Sequence, residues 1–129
     1  MRVQMRLSTE ARIILQEAKL EYLRSGITKS SGDVLDDLFS LYKDRVYDID
    51  WELVRNNPSY DGILADYTSV NPTTLNLNNA TIETIEMFRK FFNTEPALKI
   101  KRTVYRSYII RMVLKAYILE KEKKQNIRK

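Results

Sequence analysis

Arg2, Gln4 and Arg6 alternate with Val3, Met5 and Leu7 at the start of the chain. Arginine carries a planar pair of donors that matches guanine O6 and N7, and the glutamine amide matches adenine N6 and N7. At every second residue the three polar groups share one face of a strand, so the chemistry on offer is hydrogen-bond reading of base edges. An ordinary exposed sheet face favours Thr, Lys and Glu instead. A second alternating segment, Thr74-Leu75-Asn76-Leu77, offers Thr74 and Asn76 as shorter outward groups.

Catalytic and cofactor chemistry have little to draw on. The 129 residues contain no cysteine and no histidine, which removes thiolate sites, the commonest metal ligand and the commonest general base. Asp44, Asp48, Asp50 and Glu52 lack calcium-loop spacing and the glycine such a loop needs. The three glycines form no phosphate cradle. Tyr105, Tyr108 and Tyr117 have helical spacing among Ile and Val, which favours core packing over a stacking platform. We expect no enzyme, no cofactor and no metal.

Charge is uneven. Residues 1–29 hold six Lys/Arg against three Glu, residues 30–72 three basic against nine acidic, and residues 73–129 thirteen basic against five acidic. Two basic flanks around an acidic middle suit a chain that meets a phosphate backbone with its flanks. The net charge of +5 alone decides little.

The elements that must position these groups are legible from periodicity. Residues 2–7 read as a short half-buried strand. Ser8 or Thr9 caps a helix with Ala11, Ile14, Leu15, Ala18, Tyr22 and Leu23 on its apolar face, closed by Gly26. Ser30 and Ser31 can cap a second helix carrying Val34, Leu35, Leu38, Phe39, Leu41, Tyr42 and Val46, extending towards Trp51. Residues 56–62 break any helix, and residues 63–71 are ambiguous, with a short helix over Ile63 to Tyr67 as one reading. After Pro72 the order strand, helix, helix returns. Asn78 or Asn79 caps a helix through Ile82, Ile85, Phe88, Phe91 and Phe92 that ends at Glu95-Pro96, and Thr103 begins a long apolar helix through Leu119. The tail KEKKQNIRK is expected to fray. Trp51 either pins the acidic middle onto the body or contacts a partner.

The halves align at a constant offset of seventy positions: Leu7 on Leu77, Leu15 on Ile85, Tyr22 on Phe92, Val34 on Val104, Phe39 on Ile109. One unit of this size cannot satisfy its lone strand or cover its apolar face, so it needs a second copy. We expect a mainly α fold, a tandem pseudo-dimer with a two-stranded antiparallel ribbon over four core helices. Residues 1–47 and 72–124 would be the repeats, 48–71 an acidic linker and 125–129 a charged tail, all in one folded domain.

MRVQMRLSTEARIILQEAKLEYLRSG followed by SSGDVLDDLFSLY resembles the ribbon-helix-helix family of the Arc and MetJ repressors. The resemblance covers residues 2 to about 47 well and 73 to about 119 loosely. It implies that three outward strand residues contact bases, which here match Arg2, Gln4 and Arg6. It implies also that backbone amides opening the second helix anchor phosphate, at Ser30 and Ser31 in the first copy and Arg102 and Thr103 in the second. Lys29 and the basic group Lys99, Lys101, Arg102 and Arg106 would add charge there, while Asp33, Asp36 and Asp37 would oppose it. Clamping is therefore expected to be strong on the second copy's side. With Pro72, Thr74 and Asn76 in place of Arg2, Gln4 and Arg6, the reading face is non-palindromic. The single-chain tandem form is similar in architecture to the TraY-type accessory proteins of conjugative plasmid relaxosomes.

The expected function is sequence-specific double-stranded DNA binding in transcription regulation, as a repressor, or in plasmid conjugation. Further copies on adjacent sites or a relaxase are candidate partners. The rival is a protein-interaction adaptor on the same fold, with the acidic middle and Trp51 as its surface. A third reading pairs residues 1–47 between two chains and leaves the remainder as a separate helical domain. No apolar run approaches the ~18 residues of a membrane span and MRVQMR lacks a secretory h-region, so the expectation is a cytoplasmic protein without membrane contact.

Overall fold

The computed structural model describes residues 1–57, 71–94, 105–121 and 125–129. The fold is mainly helical with one small sheet. Strand β1 (Arg2–Met5) leads into α1 (Thr9–Arg24), α2 (Ser31–Tyr42) and, after a 3-10 turn at Lys43–Arg45, α3 (Trp51–Asn56). Strand β2 (Thr73–Asn76) then precedes α4 (Asn79–Thr94) and α5 (Arg106–Lys121). No helix among the described residues is long and apolar enough to cross a membrane. The short helix considered over Ile63 to Tyr67 lies outside the described residues.

The strands form a two-stranded antiparallel sheet in which Arg2 faces Asn76, Val3 Leu75, Gln4 Thr74 and Met5 Thr73. The Leu77 amide donates to the Met1 carbonyl at 2.9 Å, which extends the ladder by one pair. Alternation then separates the faces. Leu7, Leu75 and Leu77 are buried and Val3 and Met5 half-buried against the core, while Arg2, Gln4, Arg6, Thr74 and Asn76 are exposed.

Local sequence accounts for the helix ends. The Ser8 hydroxyl accepts from the Ala11 amide and the Asn78 carboxamide oxygen from the Thr81 amide, so Ser8 and Asn78, not their neighbours, are the caps. α1 stops at Gly26, whose φ of 81° is left-handed. There the Gly26 amide donates to Leu23 O and the Ile27 amide to Tyr22 O, the two bonds of a Schellman close. Ser30 and Asp33 form a capping box at the start of α2.

Packing interleaves the two halves of the chain. α1 lies against α2 and α5, α4 against α2 and α5, and α2 and α5 meet at the centre. α5 buries residues on most of its circumference, from Ile109 to Leu119, as expected of a central helix. Phe39, Trp51, Phe88 and Phe92 form an edge-packed cluster, with Trp51 centroids 5.8 Å from Phe88 and 5.2 Å from Phe92.

Several expectations are corrected. α2 does not run on to Trp51. It ends at Tyr42, and α3 starts afresh with Asp50 accepting from the Leu53 amide as its cap. Of the acidic middle, residues 48–57 pack onto the body, with Trp51 as the pin: Ile49, Trp51 and Val54 are core residues, and the indole Nε1 donates to Val46 O at 2.8 Å. The carbonyls that end α3 are met by the buried Lys115, whose Nζ donates to Asn57 O at 2.8 Å, a cation at a helix C-terminus. The end of the chain does not fray either. Ile127 is fully buried, its carbonyl accepts from the Asp50 amide at 2.7 Å, and the Lys129 amide donates to Asp48 O. Ile127 and these backbone bonds together dock residues 125–129. α5 begins at Arg106, three residues later than expected, so Tyr105 precedes the buried face and is exposed. Leu23 and Leu41, assigned to core faces, are exposed: Leu41 lies at the rim of the apolar arc of α2, and Leu23 well outside that of α1.

Candidate nucleic-acid interface

The ribbon brings Arg2, Gln4, Thr74 and Asn76 onto one exposed face as two cross-strand pairs, Arg2 with Asn76 and Gln4 with Thr74. Gln4 Nε2 donates to Thr74 Oγ1 at 3.3 Å, which orients the amide without using its carbonyl oxygen or second proton. Arg6 stands one step past the end of β1 and is exposed. Continuing the register sets it opposite Pro72, which has no N–H to donate and suits a strand end.

The flank at α2 is held close to the ribbon by glycine. A Cβ on Gly32 would stand 2.1 Å from the Asn76 carbonyl oxygen, so only hydrogen lets the start of α2 approach β2 this closely. The first amides of α2 have no preceding turn to accept from them, and Ser31 is the first residue of this helix.

The three aspartates near this end are occupied structurally. Asp33 Oδ2 accepts from the Ser30 amide at 3.2 Å. Asp36 Oδ1 accepts from the Asn78 amide at 3.1 Å and the Thr81 hydroxyl at 2.7 Å, tying α2 to the start of α4. Asp37 accepts from the Tyr22 hydroxyl at 3.1 Å and pairs with Lys29 at 3.0 Å. Lys29, expected to serve phosphate, thus has a carboxylate partner, and its hydrogen bond to Asp37 raises its pKa. Burial and the same carboxylate raise that of Tyr22.

Of the second copy's basic group, Lys99, Lys101, Arg102 and Thr103 lie outside the described residues. Arg106 is described, at the first turn of α5, with Nε 2.9 Å from Glu86 Oε1. Glu86 is shared with Arg89 at 3.1 Å.

A cavity of about 330 Å³, which the sequence reading missed, lies beside the ribbon, with Thr9, Arg12 and Gln16 of α1, Ser31 of α2 and Thr73 of β2 in its wall. Arg12 Nη2 donates to Thr9 Oγ1 at 3.1 Å, while Arg12 Nε is buried with no acceptor among the described residues. A signal was present, since positions 9, 12, 13 and 16 form one stripe of a helix. The apolar stripe beside it is the stronger pattern and masks it.

No family model, curated protein or solved structure matches the chain. The functional reading therefore rests on the geometry of the ribbon and its flanks.

Proposed function

We propose that the chain is a tandem ribbon-helix-helix pseudo-dimer that binds double-stranded DNA sequence-specifically, laying its ribbon in the major groove at an asymmetric site. Its role would be that of a transcriptional regulator or a plasmid relaxosome accessory factor. The observation that carries the reading is the strand register. Every cross-strand pair sums to 78, so residues seventy apart, Gln4 and Thr74, face each other at the centre, as a pseudo-two-fold ribbon requires.

Other features support it. α1 and α4 begin and end seventy positions apart, as do the caps Ser8 and Asn78. Among α1, α2, α4 and α5 the pattern of contacts is unchanged when α1 is exchanged with α4 and α2 with α5, whereas α3 packs on α5 alone of that pair. A two-stranded ribbon has the width of the major groove, and Arg, Gln and Asn are the residue types that read purine edges there.

The adaptor reading loses its anchor, because Trp51 is buried in the core and does not face a partner. Pairing of β1 between chains is likewise not needed, since β2 pairs with β1 within the chain.

The test is selection of bound sequences from a random duplex pool, followed by the same selection with Arg2, Gln4 and Arg6 all changed to Ala. The wild type is expected to yield an asymmetric motif, and the triple variant to lose sequence preference but keep salt-sensitive binding. An unchanged motif from the triple variant would refute base reading by β1, and no retention at low salt would refute DNA binding.

A further inference from the structure

We infer that the outer face of α1 is a self-association surface, on which a second copy of this chain packs antiparallel across a two-fold axis. α1 turns Ala11, Ile14, Leu15 and Ala18 into the core. On its opposite side, positions 13, 16, 20 and 23 form a second stripe at three- and four-residue spacing, the pattern of a helix that packs on another helix. Ile13 is half-buried there, while Leu20 and Leu23 are 44% and 57% exposed. Ile27, just past the Gly26 close, is 46% exposed. Large aliphatic groups exposed singly need no partner, but three at one end of one helix mark a contact surface.

The surface belongs to one half only. Seventy positions on, Glu83, Glu86, Lys90, Asn93 and Ala97 stand in place of Ile13, Gln16, Leu20, Leu23 and Ile27. The matching side of the second half is thus charged and polar, so the pseudo-two-fold relation between the halves does not account for the apolar stripe.

Charge selects a second copy as the occupant. Glu17 and Arg24 lie seven residues apart along one side of the stripe, and like flanks of an antiparallel helix pair face each other in reverse order. With Leu20 set against Leu23 of the other copy, each Glu17 meets the other copy's Arg24, twice by symmetry. A parallel pair would instead set Arg24 beside the other copy's Lys19. An isologous contact closes on itself, and with the stripe on α1 and not on α4 the assembly stops at two copies. On the DNA-binding reading, such a dimer presents two asymmetric ribbons in inverted orientation. The association itself does not rest on that reading, because it is measured without DNA.

The test is the mass of the full chain in solution, by sedimentation equilibrium between about 1 μM and about 1 mM, with NMR of the methyl groups over the same dilution. A monomer–dimer equilibrium is expected, with the shifts centred on Leu20, Leu23 and Ile27. Leu20→Glu combined with Leu23→Glu should raise the dimer Kd at least about a hundredfold and leave the circular dichroism spectrum unchanged. Glu17→Arg and Arg24→Glu should each weaken self-association about tenfold by setting like charges together. Their equimolar mixture should recover the wild-type Kd, because each variant then offers the sign that the other lacks.

A wild type still monomeric at the highest concentration leaves the face to a different protein and overturns the proposal. A dimer that the double leucine variant does not weaken overturns it as well. A mixture that associates no better than either charge variant refutes the antiparallel arrangement. If the variants do not fold, the wild-type dilution decides, and shifts confined to other helices refute the assignment to α1.

Discussion

Replacing Gly32 by Ala tests the close approach of α2 to the ribbon. In most helices this substitution is favourable by about 1 kcal/mol, because alanine restricts the unfolded chain. Here the added Cβ would lie 2.1 Å from the Asn76 carbonyl oxygen, and both atoms belong to rigid backbone. Relief requires α2 and β2 to part by roughly 1 Å, an overpacking cost at the upper end of the ~1–3 kcal/mol range. The net expectation is a loss of about 2 kcal/mol. With an unfolding entropy of about 2.1 cal/mol/K per residue, this lowers Tm by roughly 7 °C. Gly26→Ala is the control, because a Cβ there meets nothing within 4 Å but the backbone is left-handed at φ 81°. It should cost about 1 kcal/mol for conformation alone. Thermal and urea unfolding of both variants give the two numbers. A Gly32→Ala protein that melts at or above the wild-type temperature would refute the close approach of α2 to the ribbon.

Trp51→Ala should cost about 3–5 kcal/mol in urea unfolding, since the indole fills the Phe88–Phe92 cluster and bonds Val46 O. A loss below about 1 kcal/mol would mean that the acidic middle is not docked. Ile127→Ala should cost about 2–4 kcal/mol by the same assay and raise amide exchange at Asp50 and Lys129, whose hydrogen bonds it holds. Glu120 gives a pH dependence. Burial works against its ionisation, but the bonds from Arg45 at 2.7 Å and from Tyr42 outweigh it and lower the carboxyl pKa below its ordinary 4.5. A depressed folded-state pKa contributes stability that is present above 4.5 and lost as pH falls through the lower folded value. Glu120→Gln should remove that part of the acid-side slope in stability measured against pH, and an unchanged slope would contradict the bond network.

The parts of the fold that were legible in the sequence are those whose signal is local. Alternation over residues 2–7 requires nothing beyond the strand itself, and Ser8, Gly26, Ser30 and Asn78 mark ends because cap geometry depends on a few neighbouring residues. The two alternating segments, β1 and β2, pair antiparallel as their matching patterns suggested, since a lone short strand leaves its backbone groups unpaired. What was missed depends on residues distant in sequence. Ile127 gives no periodic signal in a charged tail, yet Asp48 and Asp50 supply a strand-like bridge for it. Trp51 could not be assigned until Phe88 and Phe92 of another helix surrounded it. The aspartates of α2 read as repulsive charges because their partners, Asn78, Thr81 and Tyr22, come from α4 and α1.

On the proposed reading, the asymmetry of the ribbon begins at its centre. In a ribbon made from two identical chains the central residue faces its own copy, whereas here Gln4 faces Thr74. The bond between them spends one amide proton and leaves a donor and an acceptor, the pair that adenine N7 and N6 require. Away from the centre, Arg2 faces Asn76 and the continued register sets Arg6 against Pro72. The long cationic donors therefore both lie on the β1 side, Arg2 in the strand and Arg6 just past it. Leu7 and Thr73 in the wall of the Arg12 cavity put it beside the end of the ribbon where β1 leaves and β2 enters. Arg6 and the cavity thus stand at the same end of the ribbon. A duplex bound this way meets different donors from β1 and β2, and the protein has one preferred orientation on its site. Fusing two diverged units in one chain is what permits such an orientation, since two identical units would bind equally well both ways round.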